Sequence, residues 1–263
     1  MHYCSVNGKL QQSIPVSDRG LAYGDGIFTT GKILNGKVAL LPQHIERLTH
    51  YCQRLAIQNV DFAAIEQEMN SAAASFGLAV IKVLISAGSG GRGYSRIGAI
   101  EPTIVITIHD HPTHYNAWQQ QGISIADANI RLGINPVLAG IKHLNRLEQV
   151  FIRQELDQSP VDDLLVFDIS DKLIEASSAN VFVMLDGQWL TPVLDTAGVA
   201  GLARAEILKA TNAQACAIYQ PTLAQCQEMF ICNSVMGIVP IKQYNGMSLS
   251  TSEAIKIQQL LDL

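Results

Sequence analysis

Two residues in this sequence are best suited to chemistry: a lysine that can serve as a neutral amine, and an acid set among apolar and small neighbours. Lys142 lies in Ile141-Lys142-His143-Leu144-Asn145-Arg146-Leu147. That run places cationic side chains just before or within the first turn of a helix predicted over 144–156. A helix dipole disfavours positive charge there. The same dipole, with partial burial, lowers an amine's pKa, which makes Lys142 a candidate nucleophile and proton carrier; the alternative is an exposed lysine. Glu175, in Ile174-Glu175-Ala176-Ser177-Ser178-Ala179-Asn180, needs a cationic or hydrogen-bonding partner if buried, or else ends a strand facing water.

Three further segments have the composition of anion sites. Gly198-Val199-Ala200-Gly201-Leu202-Ala203-Arg204 is a small-residue turn entering a predicted helix, where unbonded N–H groups suit a phosphate. Asn233-Ser234-Val235 adds a hydroxyl and more N–H groups. Gly88-Ser89-Gly90-Gly91-Arg92-Gly93-Tyr94 follows a predicted strand. It lacks the Lys-Ser/Thr ending of a P-loop and the dinucleotide spacing, so it reads as a turn whose Arg92 meets an anionic substrate at most.

Short strands and helices must position these groups. Asn7-Gly8, Asn35-Gly36 and Asp186-Gly187 mark hairpins. Strands are predicted over 27–34, 79–86, 103–109, 122–133, 164–167, 173–175, 180–185 and 229–232, from apolar runs bounded by turn residues. Helices are predicted from Pro42 through Leu55, over 60–76, 144–156 and 203–210, and from a Ser250-x-x-Glu253 capping box. The His109–His114 stretch, broken by Pro112 and lacking a second ligand cluster, reads as a solvated connection rather than a metal site. The expected organisation is a two-lobed α+β protein, with an N-terminal α+β domain over 1–109, a linker over 110–114 and a C-terminal β-rich domain with helices over 115–263.

Composition narrows the class. With 263 residues, 48% hydrophobic and 16% charged, the chain has material for one large or two modest cores. A net charge of −5 without a basic block argues against a nucleic-acid surface. No apolar run has membrane-spanning length, and Met1–Ser5 does not open a secretory signal. Five scattered cysteines without a C-x-x-C pair read as reduced thiols of a cytoplasmic protein.

Taken in order, several segments resemble the fold-type IV pyridoxal 5′-phosphate (PLP) enzymes, the D-amino-acid aminotransferase-like architecture. They are Ser17–Phe28, His44-Ile45-Glu46-Arg47-Leu48, Ile141–Asn145, Glu175–Asn180, Gly201–Arg204 and Cys232-Asn233-Ser234. Two runs, Gly88–Ser95 and Ala139–Val150, are similar to the family's aminodeoxychorismate lyase branch. Leu147 stands where branched-chain transaminases usually carry tyrosine, five positions after the lysine, which counts against that activity. The resemblance implies that Lys142 holds the cofactor covalently and shuttles protons, and that Glu175 pairs with its ring nitrogen. Arg47, the backbone at Leu202 and Ala203, and Ser234-Val235 would bind its phosphate. Ala203 replaces a frequent threonine, leaving that contact to the backbone. Phe28, Thr29, Thr30, Arg92 and Asn145 fall on the substrate side. The resemblance also implies a homodimer acting on a small molecule, with the cofactor between the two domains. Its expected reaction turns 4-amino-4-deoxychorismate into 4-aminobenzoate and pyruvate. A D-amino-acid or broad-specificity aminotransferase is the first alternative, and a non-catalytic anion-binding relative the second.

Overall fold

A computed structural model describes residues 1–99 and 101–261. The chain forms two compact units. The first comprises Met1–Pro112 together with Lys142–Asn145, and the second Thr113–Ile141 together with Arg146–Leu263. Thus four residues expected within the C-terminal domain over 115–263 pack with the first unit instead, held there by backbone bonds described below.

In the first unit the order is β1 (Tyr3–Val6), β2 (Lys9–Leu10), α1 (Arg19–Tyr23), β3 (Gly26–Leu34), β4 (Lys37–Val38), α2 (Leu41–Arg54), α3 (Phe62–Ala73), β5 (Leu78–Ser86) and β6 (Thr103–His109). The strands make a six-stranded antiparallel sheet in the order β2-β1-β6-β5-β3-β4. Side chains alternate between its faces. Ile27, Thr29 and Ile33 of β3 are buried with Ile81, Val83 and Ile85 of β5, and α2 packs on β3 with Leu41, His44, Arg47 and Leu48 buried. Phe28 and Thr30 take the other face. The Asn7-Gly8 and Asn35-Gly36 turns form as expected, with positive φ at all four residues.

The second unit runs α4 (Tyr115–Gln121), β7 (Ile123–Leu132), α5 (Leu147–Leu156), β8 (Asp163–Asp168), β9 (Leu173–Ala176), β10 (Asn180–Leu185), β11 (Gln188–Pro192), α6 (Leu202–Ala210), β12 (Gln214–Cys216), a 3-10 turn (Gln220–Gln225), β13 (Glu228–Asn233), β14 (Gly237–Tyr244), β15 (Met247–Ser248) and α7 (Ser252–Leu260). Its sheet is mixed, in the order β12-β11-β10-β13-β14-β7-β8-β9, with β15 beside β14. Helix α4 and strand β14 were not expected. Polar Gln119–Gln121 mask the first, and Pro240 interrupts the apolar run of the second. Every residue of β8 and β9 is buried, so Glu175 of β9 lies inside the unit. One apolar cluster gathers Phe167, Val181, Met229, Ile231 and Val239. Another gathers Phe182, Ala203, Ile207, Phe230 and Cys232 with Ala254 and Ile257 of α7.

The predicted capping box at Ser250-x-x-Glu253 does not form. Instead buried Glu228 of β13 accepts hydrogen bonds from Ser250 Oγ at 2.6 Å, Ser252 Oγ at 3.0 Å and the N–H groups of Glu253 and Ala254 at 3.0 Å. A strand acid thereby satisfies donors that the first turn of α7 leaves open. Burial alone would raise the Glu228 pKa. The Ser250 hydroxyl and the two backbone N–H groups outweigh it and hold the carboxyl below its ordinary value. Because the folded pKa is depressed, this stabilisation is complete above the unfolded glutamate value and is lost as pH falls through the folded one. Glu228→Gln is expected to cost about 1–3 kcal/mol at neutral pH. Thermal melts should show that deficit shrinking below about pH 4.

Candidate active site

The Lys142–Asn145 segment runs along β3. Phe28 N–H donates to the Lys142 carbonyl at 2.9 Å, Leu144 N–H donates to Gly26 O at 3.0 Å, and Ile27 and His143 form an antiparallel bridge. The lysine is therefore presented by strand-like backbone. Since α5 begins only at Leu147, the helix dipole invoked from the sequence does not act on Lys142. Its Nζ lies 4.5 Å from the centroid of the Phe28 ring. A second ammonium, that of Lys82, lies 4.8 Å from the same centroid. Burial lowers the Lys82 pKa. Lys82 and Thr30 are directly paired in the sheet, so Thr30 shares the face carrying Phe28 and Lys82. Lys82 was missed in the sequence, although a lysine inside Val80-Ile81-Lys82-Val83-Leu84 is the kind of local rule-breaking that marks function.

Three residues placed on the substrate side have other local partners. Thr29 is buried on the α2 face, where it accepts a hydrogen bond from Arg47 Nη2 and meets His44 Nδ1 at 2.6 Å. Asn145 Nδ2 donates to Gly24 O at 3.2 Å, and its side chain fills the space a Cβ at residue 24 would need. Arg92 is exposed. Its loop is folded around the buried Arg19 guanidinium, which donates to the carbonyls of Gly93, Tyr94 and Ser95 and to Asp25 Oδ2. Carbonyls, not N–H groups, converge there, so the loop is an arginine cradle and not a phosphate cradle. Asp25 also pairs with Arg96. Burial would raise the Asp25 pKa, but the two arginines hold it low.

Arg47 itself is buried at 7% exposure. Among the described residues it has no carboxylate partner, and its Nε has no hydrogen-bond acceptor. Burial lowers its pKa to about 10, which leaves it a cation at neutral pH. A buried charge without a counter-ion is costly, and an anion bound beside it relieves that cost.

The second unit holds an acid and a glycine-containing turn joined by hydrogen bonds. Buried Glu175 accepts Val199 N–H at its Oε2, 2.9 Å away. Asn180 grips the same turn twice: its Nδ2 donates to Val199 O at 2.8 Å, and its Oδ1 accepts Gly201 N–H at 3.1 Å. A Cβ at residue 201 would lie 2.0 Å from that Oδ1, so glycine is required. Gly201 caps α6, whose first-turn N–H groups, those of Leu202 and Ala203 among them, lack acceptors within the helix. The Ala203 methyl points into the core. The Val235 N–H, expected to face a phosphate, is bonded to Asn233 Oδ1 at 2.9 Å, as is that of Met236. Asn233 in turn donates to Ser178 O. A short Asx turn thus holds Ser234 in place.

Each unit by itself carries groups of the kind the expected cofactor needs: an amine and an arginine without a carboxylate partner in the first, a buried acid and a helix start in the second. The aminotransferase class IV family pattern matches residues 26–244, and the chain belongs to that family. It is an enzyme of the fold-type IV architecture, a family that works through PLP. An aminodeoxychorismate lyase from Vibrio harveyi is 35% identical over 241 residues, 90% of this chain and 89% of the relative. The crystal structure of 4-amino-4-deoxychorismate lyase from Pseudomonas aeruginosa superposes with a TM-score of 0.93 at 35% identity, covering 99% of both chains. The PLP-bound form of a hypothetical aminotransferase from Mycobacterium tuberculosis shares the fold, with a TM-score of 0.85 at 16% identity over 98% of this chain and 97% of its own.

Arg47, buried without a carboxylate partner, makes a direct prediction. Orthophosphate should raise the Tm of the cofactor-free protein, by the equivalent of about 2.7 kcal/mol at one hundred times its Kd. Arg47→Met should remove that response in the same thermal titration.

Proposed function

We propose that the chain is a lyase that converts 4-amino-4-deoxychorismate into 4-aminobenzoate and pyruvate. The observation that carries this reading is the joint match in sequence and structure to lyases of that name, in a chain that keeps both Lys142 and a buried Glu175. The roles of the individual residues follow from their chemistry. Lys142 and Arg47 come from the first unit. Glu175, Leu202, Ala203 and Ser234 come from the second, with the Val235 N–H given to Asn233. Each has the chemistry to hold one part of the cofactor.

Bound there, PLP supplies an electron-poor ring that accepts charge from the carbon bearing the substrate's amine. Lys142 would anchor it covalently, and the free Lys142 amine would take the proton from the carbon bearing the substrate's amine. Glu175, which accepts the Val199 N–H, would keep the ring nitrogen protonated. The carbon–oxygen bond to the enolpyruvyl group then breaks and the six-membered ring becomes aromatic. The proton taken at one carbon is returned to the methylene carbon of the leaving group, giving pyruvate. No oxidant is required. Lys82, beside Lys142 on the Phe28 ring, supplies positive charge for a substrate with two carboxylates. Arg92 offers a second, exposed cation.

Pairing of two chains is supported by Leu147, Val150 and Phe151. They form an exposed apolar stripe on one face of α5. Five cysteines without disulfides favour a cytoplasmic setting. No helix among the described residues is long and apolar enough to cross a membrane.

Incubation with 4-amino-4-deoxychorismate should release 4-aminobenzoate and pyruvate in equal amounts. Lys142→Ala should lose the cofactor's absorption band, and turnover should fall by at least about 10²–10⁴-fold. Efficient conversion of the cofactor to its pyridoxamine form by D-alanine or glutamate, without lyase turnover, would instead establish an aminotransferase.

A further inference from the structure

The Arg47 side chain has one neutral anchor, and that anchor has one of its own. Arg47 Nη2 donates to Thr29 Oγ1, and the same oxygen lies 2.6 Å from His44 Nδ1. All three residues are buried, His44 completely. His44 and Arg47 stand three positions apart on α2, and Thr29 faces them from β3. The hydroxyl has one hydrogen to place. If His44 Nδ1 carried a proton, that hydrogen would lack an acceptor among the described residues, and His44 Nε2 would be a bare acceptor as well. If Thr29 donates to Nδ1, both conflicts vanish and only the Nε2 proton is unmatched. His44 is then a neutral ring with its proton on Nε2. Burial together with the Arg47 charge lowers its pKa to about 3, which agrees. The ring occupies the space that a Cβ at Gly31 would need, 2.8 Å from Nε2, so glycine makes room for it.

We infer that Thr29 and His44 are positioning residues, a neutral relay that aims the Arg47 guanidinium at the cofactor's phosphate. The inference rests on the reading of Arg47 as the phosphate's partner. A carboxylate in place of Thr29 would neutralise the guanidinium and compete with the ligand. A hydroxyl backed by a neutral imidazole orients the fork while leaving its full charge for the anion.

The test compares affinities for pyridoxal 5′-phosphate and for pyridoxal, which lacks the phosphate, in refolded or cofactor-stripped holoenzyme. Thr29→Val keeps the branched shape and removes the hydroxyl. It should weaken pyridoxal 5′-phosphate binding by about 10–100-fold, as expected for a hydrogen bond to a charged group, with pyridoxal binding unchanged. Thr29→Ser should restore the preference to within about threefold, because the hydroxyl returns. Equal losses for both ligands, or no loss for either, would overturn the relay. Arg47→Met separates the two levels of the argument: if it keeps the preference for the phosphorylated ligand, the reading of Arg47 fails first. Nitrogen-15 spectra of the wild-type protein give a readout independent of any variant's folding. A His44 protonated on Nε2 and bare on Nδ1 is expected, and the reverse tautomer would refute the proposal.

Discussion

The main-chain pairing of Lys142–Asn145 with β3 is the constraint on which the site depends. A long, flexible lysine is useful only if its Cα is held, and the two backbone hydrogen bonds that make the Ile27–His143 bridge hold it to the sheet of the first unit. The same pairing puts Phe28 under the amine. Residues on either side of this short segment belong to the second unit, so an amine of one unit is carried by a chain that builds the other.

Within each unit, uncharged groups orient the polar ones. Glu175 is steadied by an N–H, Arg47 by a hydroxyl, and the α6 turn by an amide. Arg19 shows the contrast: its charge is answered by Asp25 and its remaining donors are used on loop carbonyls, so it holds structure and has no charge to spare. A buried arginine such as Arg47, anchored by a hydroxyl and not by a carboxylate, keeps its charge available to a ligand, at a cost in stability.

Glycines mark where this design is tightest. At Gly201 and Gly24, side-chain oxygens of Asn180 and Asn145 approach the backbone more closely than any Cβ would allow. In both cases the glycine and the asparagine are far apart in sequence, and neither explains the other until the chain is folded.

Lys142 and Glu175 stood out in the chain itself, although the helix-dipole ground for Lys142 did not hold because α5 starts at Leu147, and hairpin turns at Asn-Gly and Asp-Gly need only their own φ preferences to form. Strands β3, β5 and β6 announced themselves through short-range apolar patterning. What only the tertiary structure decided involves partners distant in sequence. Thr29 faces Arg47 and His44, because the parity of a strand is set by which face its sheet buries. Glu228 caps α7 from another strand, Asn233 takes the Val235 N–H, and Lys82 joins Lys142 over one aromatic ring. Residue types and local spacing determine which chemistry is possible. Hydrogen-bond ownership and the company a charge keeps depend on long-range packing, which no local pattern encodes.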